Sequence, residues 1–207
     1  MHMLHIVGSP RKELSASLDV ATRFIEQWET THSRATIDTL DVWTTYIPAF
    51  DGPALDAKYA GLAGRALTDE QKDVWAAIGT LAARFHCADV VLISVPMWNF
   101  GIPYRLKHLI DAVSQKNVLF TFDGENLNGL LNGKKMVIVA ARGARLGGDY
   151  PEKDFDHQVA YLRIWARMVG ITEVQVIVVE GTLLGREADE AARANARAQA
   201  HELAATL

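Results

Sequence analysis

Two short stretches of the chain bring together residue types that could grip a small ligand. The first, Gly8-Ser9-Pro10-Arg11-Lys12-Glu13-Leu14-Ser15-Ala16-Ser17, sets three hydroxyls at the start of a helical pattern. A helix N-terminus leaves backbone N–H groups unpaired and carries the positive end of the helix dipole, which favours an anion. With hydroxyls beside it, a phosphate monoester is the natural occupant, and Arg11 or Lys12 could add charge. Taken alone, Ser9, Ser15 and Ser17 read equally well as turn and N-cap residues. The second stretch, Pro96-Met97-Trp98-Asn99-Phe100-Gly101-Ile102-Pro103, gathers a thioether and two aromatic rings between stiffening prolines. It suits one face and edge of a flat conjugated ring, with backbone groups aimed at heteroatoms, although an aromatic cluster by itself is ordinary core packing.

A third stretch, Ala141-Arg142-Gly143-Ala144-Arg145-Leu146-Gly147-Gly148, can bring backbone N–H groups close to negative charge where its glycines permit. It reads otherwise as a surface loop with two solvated arginines. Several rival chemistries lack their residues. There is no Gly-x-x-x-x-Gly-Lys-Ser/Thr to cradle a nucleoside triphosphate and no Gly-x-Gly-x-x-Gly for a dinucleotide. A phosphorelay receiver needs acidic groups where this chain has Gly8 and Ser9. A mononucleotide remains. His108 and His157 have no partner at metal-ligand spacing, and Asp38, Asp41 and Asp111 read as strand-end or helix-surface groups. No catalytic acid, base or nucleophile and no metal ligand is therefore named.

Hydrophobic periodicity supplies the elements that must position these loops. Met3 to Val7 is a short apolar run stopped by Gly8-Ser9-Pro10, and Leu18, Ala21, Ile25 and Trp28 then recur at helical spacing. Thr36 to Leu40 alternates as a half-covered strand does, and 43 to 67 reads as a long irregular stretch. Thr68 with Gln71 three residues on predicts a capped helix whose apolar face is Val74, Ile78, Leu81 and Phe85. Val90 to Val95 is nearly all apolar, as a central parallel strand should be. A helix with Leu106, Leu109, Ile110 and Val113 follows Pro103. Met136 to Ala141 and Val174 to Val179 read as strands, Phe155 to Val169 as a helix ending at Gly170, and Glu187 to Leu207 as the closing helix.

Five strands separated by helices predict an α/β fold: a flavodoxin-like, doubly wound, five-stranded parallel sheet of order 2-1-3-4-5. In such a sheet ligands sit beyond the carboxyl ends of the strands, at the point where the crossover direction reverses. Topology thus selects the first and second loops, with the third alongside. Residues 1–207 are expected to form one domain.

Composition narrows the setting. The chain is 49% hydrophobic and 22% charged, with a net charge of −4 and no block of like charge, so no nucleic-acid partner is expected and strong electrostatic steering of a carrier is not built in. Cys87 is the only cysteine, which excludes an intramolecular disulfide, and its place at a predicted helix end reads as a small buried hydrophobe. Met1 to Val7 lacks the pattern of a signal peptide, and no apolar run approaches membrane-spanning length, so the expectation is cytoplasmic with no membrane partner.

The loop residues resemble the FMN-dependent NADH:quinone oxidoreductases, also called azoreductases, a flavodoxin-like family. The resemblance rests on Ser9 followed by Ser15-Ala16-Ser17, and on Pro96-Met97-Trp98-Asn99-Phe100 with Pro103-x-x-Leu106-Lys107 behind it. Gly133-Lys134-Lys135 leading to Ala141-Arg142-Gly143 completes it, and the similarity runs from Leu4 to about Gly181. It implies FMN phosphate contacts from Ser9, Ser15, Ala16 and Ser17. It implies isoalloxazine contacts from the segment opened by Pro96, namely Met97, Trp98, Asn99 and Phe100, with the backbone near Asn99 at the flavin N5. Contacts from Ala141, Arg142, Gly143 and Ala144 follow on the third loop, where the family often has a serine before Arg-Gly-Gly and this chain has alanines instead.

The resemblance further implies homodimers whose sites are completed by the partner subunit. The segment Asn117 to Asn128, with Phe120 and Phe122, is then the candidate substrate wall, and it reads nearly as well as a hydrophobic hairpin over the core. The implied reaction is ping-pong: NADH or NADPH reduces the flavin and leaves, then a quinone or azo compound takes two electrons. An NAD(P)H-dependent FMN reductase or nitroreductase, and a flavodoxin-like electron carrier, are the alternative readings.

Overall fold

The computed structural model describes residues 1–207, the side chain of Leu62 excepted. In chain order the elements are β1 (His2–Val7), α1 (Ala16–Thr31), β2 (Thr36–Asp41), α2 (Gly52–Leu62), α3 (Asp69–Cys87), β3 (Val90–Pro96), α4 (Tyr104–Val113), β4 (Phe120–Phe122) and β5 (Leu127–Gly129). They continue with β6 (Lys135–Ala141), α5 (Glu152–Phe155), α6 (Val159–Val169), β7 (Glu173–Val179) and α7 (Arg186–Thr206). The main sheet is parallel with order β2-β1-β3-β6-β7, which in terms of the five predicted strands is the expected 2-1-3-4-5. The alternating run Thr36–Asp41 is an edge strand, as its half-covered pattern requires.

Side-chain alternation divides the core into two clusters. Along β3, Val91, Ile93 and Val95 join Ile78, Phe85, Leu109, Leu162 and Trp165 of α3, α4 and α6, whereas Val90 and Leu92 join Phe24, Trp28 and Ala200 of α1 and α7. A period-2 strand covered on both sides must be apolar at every position, which is why Val90 to Val95 has no polar residue except Ser94. The helix boundaries follow local chemistry. The Thr68 hydroxyl accepts the Gln71 N–H at 3.2 Å while the Gln71 side chain accepts the Thr68 N–H at 3.0 Å, and α6 stops at Gly170 in the left-handed region, φ 97°.

Three expectations need correction. Residues 43 to 67 are not irregular throughout: Pro53 sits in the first turn of α2, where it needs no N–H, and the buried residues Ala54, Ala57 and Ala60 are too small to make a conspicuous stripe. The expected helix Phe155–Val169 is two helices, because the Asp156 carboxylate accepts the Gln158 and Val159 N–H groups at 3.0 and 2.8 Å and so restarts the helix. Cys87 is exposed rather than buried, the neighbouring Phe85 and Ala88 taking the core positions. The segment Asn117 to Asn128, read above as either a substrate wall or a hairpin, does form a hairpin, in which β4 and β5 pair antiparallel. This hairpin meets the end of α6 backbone to backbone; a Cβ on Gly129 would lie 2.0 Å from the Gly170 nitrogen.

Candidate functional site

Strand register brings the three loops together. Val7 pairs with Ser94, and Pro96 with Ala141, so β1, β3 and β6 end almost level. Each loop then leaves with one more ladder bond: Gly8 N–H to the Ser94 carbonyl at 2.8 Å, Met97 N–H to Ala141 at 2.7 Å and Arg142 N–H to Val179 at 2.8 Å. The sheet, not the loops themselves, fixes their common floor.

The first loop is a polar cradle. Ser9, Ser15 and Ser17 are only 1%, 3% and 0% exposed. Ser15 Oγ accepts the Leu18 N–H at 3.3 Å and lies 3.2 Å from Ser17 Oγ, so the N-cap hydroxyl and its neighbour form a pair at the head of α1. Ala16 and Ser17 open the helix, where N–H groups have no helical carbonyl to meet. Ser9 Oγ accepts the Arg11 N–H at 3.3 Å. Gly8 is flush with the sheet, since a Cβ there would come within 3.1 Å of the Ser94 carbonyl oxygen. Lys12, with φ 49°, is paired with the Asp41 carboxylate, whose other oxygen accepts the Trp43 N–H at 2.9 Å. Its charge is thereby held at the end of β2, while the Arg11 side chain is exposed and pairs with no carboxylate among the described residues, so the buried anion donors of the loop are hydroxyls and helix amides.

Beneath this loop His5 is buried on β1, its Nε2 3.0 Å from Ser94 Oγ. Burial drives the imidazole from its ordinary value down to about 4, against a weaker upward pull from Asp41.

The second loop is strained and aromatic. Trp98 and Gly101 exchange two backbone hydrogen bonds, both 2.9 Å, around Asn99 and Phe100, which have φ 47° and 67°. Positive φ at both central residues is the signature of a type I′ turn, a conformation that normally selects Asn-Gly. Phenylalanine in the left-handed region costs on the order of 1–2 kcal/mol and persists only where the surroundings over-determine it. They do so here. The Phe100 ring lies 6.2 Å from Tyr150, nearly parallel, and 5.1 Å from Phe155, edge-on, while the Phe100 carbonyl accepts the His157 N–H at 3.0 Å. Trp98 is flanked by Trp43 at 5.7 Å and Tyr104 at 6.5 Å. The Asn99 and Phe100 N–H groups make no bond among the described residues, so the turn presents two donors outward.

The third loop divides in two. Every polar group of Arg142 is engaged within the chain: its N–H on Val179, its carbonyl by the Thr182 N–H, and its buried guanidinium on Glu180 at 2.8 Å and Asp156 at 2.5 Å. It is not a solvated arginine. Gly143 and Ala144, directly after Arg142, are among the loop residues whose N–H groups are unengaged. Phe120 and Phe122 are not brought to the loops within one chain. Their hairpin precedes Lys135, the first residue of β6, whereas the site lies past Ala141, its last, roughly 20 Å along the strand at 3.3 Å per residue.

Sequence reading missed the supports: Trp43, Tyr150, Phe155, Asp156, Gln158 and Glu180. One local signal existed, Asp156 three residues before the apolar Val159, an N-cap pattern. Among the described residues no helix is long and apolar enough to cross a membrane and no group of three or more His, Cys, Asp or Glu could hold a metal ion.

A flavodoxin-like fold family model matches residues 1–204. FMN-dependent NADH:quinone oxidoreductase 2 of Pseudomonas syringae pv. tomato is 54% identical over 207 residues, covering 100% of this chain and 99% of the relative. FMN-dependent NADH:quinone oxidoreductase 9 of Burkholderia lata is 50% identical over 186 residues, covering 88% and 89%. Among solved structures, an FMN-dependent NADH-azoreductase from Bacillus anthracis in complex with FMN superposes with a TM-score of 0.86 at 25% identity, covering 98% of this chain and 99% of that one.

Proposed function

The chain belongs to the FMN-dependent NADH:quinone oxidoreductase family of the flavodoxin-like fold, and on that premise we propose that it moves two electrons from NADH or NADPH to quinones or azo compounds with FMN as its cofactor. The observation that carries this reading is the level placement of a buried triple-hydroxyl cradle at a helix start beside an outward-facing, strained aromatic turn. Bound FMN would supply the redox chemistry between a nicotinamide donor and the acceptor.

The donor set fits that group at both ends. Ser9, Ser15 and Ser17, with the amides of Ala16 and Ser17, would hold the phosphate as helix-start sites do, with no buried cation required. Pro96, Met97, Trp98, Asn99 and Phe100 would set the ring, the free N–H groups of the turn meeting its heteroatom edge. Gly143 and Ala144, beyond Ala141, would place donors where negative charge develops on reduction. No protein nucleophile enters; the chain binds, orients and excludes water.

Phe120 and Phe122 join this site only from a second copy, so the reading includes a homodimer. In its support, Trp98, Ile102, Tyr104, Tyr161 and Ile164 line an apolar cavity of about 610 Å³, with Tyr104 and Ile164 each 67% exposed. The same reading takes residues 1–207 as one doubly wound domain, supported by the two core clusters, with the cytoplasm as its compartment.

The test is spectroscopic. Protein purified with FMN should be yellow, bleach with NADH under anaerobic conditions and recolour with a quinone. A colourless protein that fails to bind FMN would sink the reading, and bleaching by one-electron donors alone would make it a carrier.

A further inference from the structure

The strained turn is held from outside by a buried polar chain that the proposed chemistry does not use. Arg142 Nη2 donates to Asp156 Oδ2 at 2.5 Å, and its Nε points to Gln158 Oε1 at 3.5 Å. Asp156 Oδ1 accepts the Gln158 and Val159 N–H groups, and Gln158 Nε2 donates to the Val95 carbonyl at 3.0 Å. Between Asp156 and Gln158, the His157 N–H donates to the Phe100 carbonyl. Arg142, Asp156 and Gln158 are 2%, 9% and 0% exposed. One guanidinium thus ties the ends of β6 and β7 to the restart of the helix at α6, and that restart touches the second loop twice, just before Pro96 and inside the turn itself.

A buried charge with this many partners is an expensive way to gain stability alone, since well-packed apolar residues of similar volume often serve as well or better. What such a chain adds is a fixed geometry. We infer that Gln158, oriented by Arg142 and Asp156, is a positioning residue that holds the Asn99–Phe100 turn in its left-handed conformation and so presets its outward N–H donors for the ring. Its carboxamide is suited to this because it accepts from Arg142 with one atom and donates to Val95 with the other, a pairing neither leucine nor glutamate reproduces. This inference rests on the proposed flavin site, but the state of the turn can be read without flavin.

The experiment compares wild type, Gln158→Leu, Gln158→Glu and, as a remote control, Thr68→Ala at the start of α3. Backbone hydrogen exchange is measured on the FMN-free proteins. Within 97 to 101 the hydrogen-bonded amides of Met97, Trp98 and Gly101 should exchange at least tenfold faster in both Gln158 variants while 9 to 18 stays as in wild type, and Thr68→Ala should leave both segments unchanged. With FMN added, the Gln158 variants should bind it about tenfold more weakly in the oxidised form and more weakly still when reduced. A further tenfold loss in the reduced form corresponds to a potential about 30 mV more negative. Unchanged exchange at 97 to 101, or equal loosening of both segments, would overturn the inference. If no protein binds FMN, the proposed function fails, while the exchange result still decides whether Gln158 holds the turn.

Discussion

The two walls of the site are built by opposite means. Gly8 to Ser17 is relaxed and local: its cradle is the start of one helix, with Ser15 as N-cap and all three hydroxyls within nine residues. Pro96 to Pro103 is strained and dependent: its turn sets Phe100 in the left-handed region and is steadied by Trp43, Tyr104, Tyr150, Phe155 and His157. A phosphate needs many donors and tolerates small shifts, so a helix end suffices. A flat ring needs donors at fixed positions, and a turn that few sequences adopt can be fixed only by what surrounds it.

That contrast can be broken from the phosphate side first. Ser15→Asp keeps a good N-cap but puts a carboxylate in the cradle. FMN affinity should fall a hundredfold or more, ~3 kcal/mol, while riboflavin, lacking the phosphate, binds as before. Fluorescence titration of both flavins checks this, and equal losses for the two would mean that the loop does not hold the phosphate.

Acid should loosen the floor under the same wall. The His5 pKa is lowered on folding, so the unfolded chain binds the extra proton between pH 6.5 and about 4. The stability involved is therefore present above pH 6.5 and lost as pH falls toward 4, by up to roughly 3 kcal/mol. Denaturant midpoints of wild type and His5→Leu should diverge across that window, the variant lying flatter. Parallel curves would exclude His5 as the source.

The second wall is sharpened by two substitutions at one position. Phe100→Val puts a β-branched residue at positive φ and should destabilise the protein by about 2 kcal/mol beyond Phe100→Gly, which removes the strain along with the ring. Thermal melts of the pair separate backbone from ring, and the order would reverse if the turn were not left-handed. The smallest effect belongs to a site touching neither wall: Thr68→Ala loses one half of a capping box, costing about 1 kcal/mol with no change in flavin binding.

The sequence revealed what is local or periodic. The Thr68 cap and the end of α6 at Gly170 follow from patterns a few residues long, Ser15 announced the first wall in the same way, and the strand order followed from the regular alternation of strands and helices along the chain. The second loop was located by topology and aromatic content, but its left-handed turn was not, because an Asn-Phe pair gives no local reason for positive φ. The reason lies at Tyr150, Phe155 and His157, about fifty residues on. Arg142 shows the same limit from the other side. As a residue type in a glycine-containing loop it suggested a ligand contact or a solvated charge, and only the placement of Asp156, Gln158 and Glu180 turns it inward. The helix α2 stayed hidden because alanines make a faint stripe.

The division of labour between the walls is tested most directly by titrating the FMN-free wild-type protein with FMN and with riboflavin under identical conditions. The account predicts that both bind, the ring being held by the second wall, and that FMN binds at least a hundredfold more tightly because the first wall adds the phosphate. Equal affinity for the two flavins would contradict it.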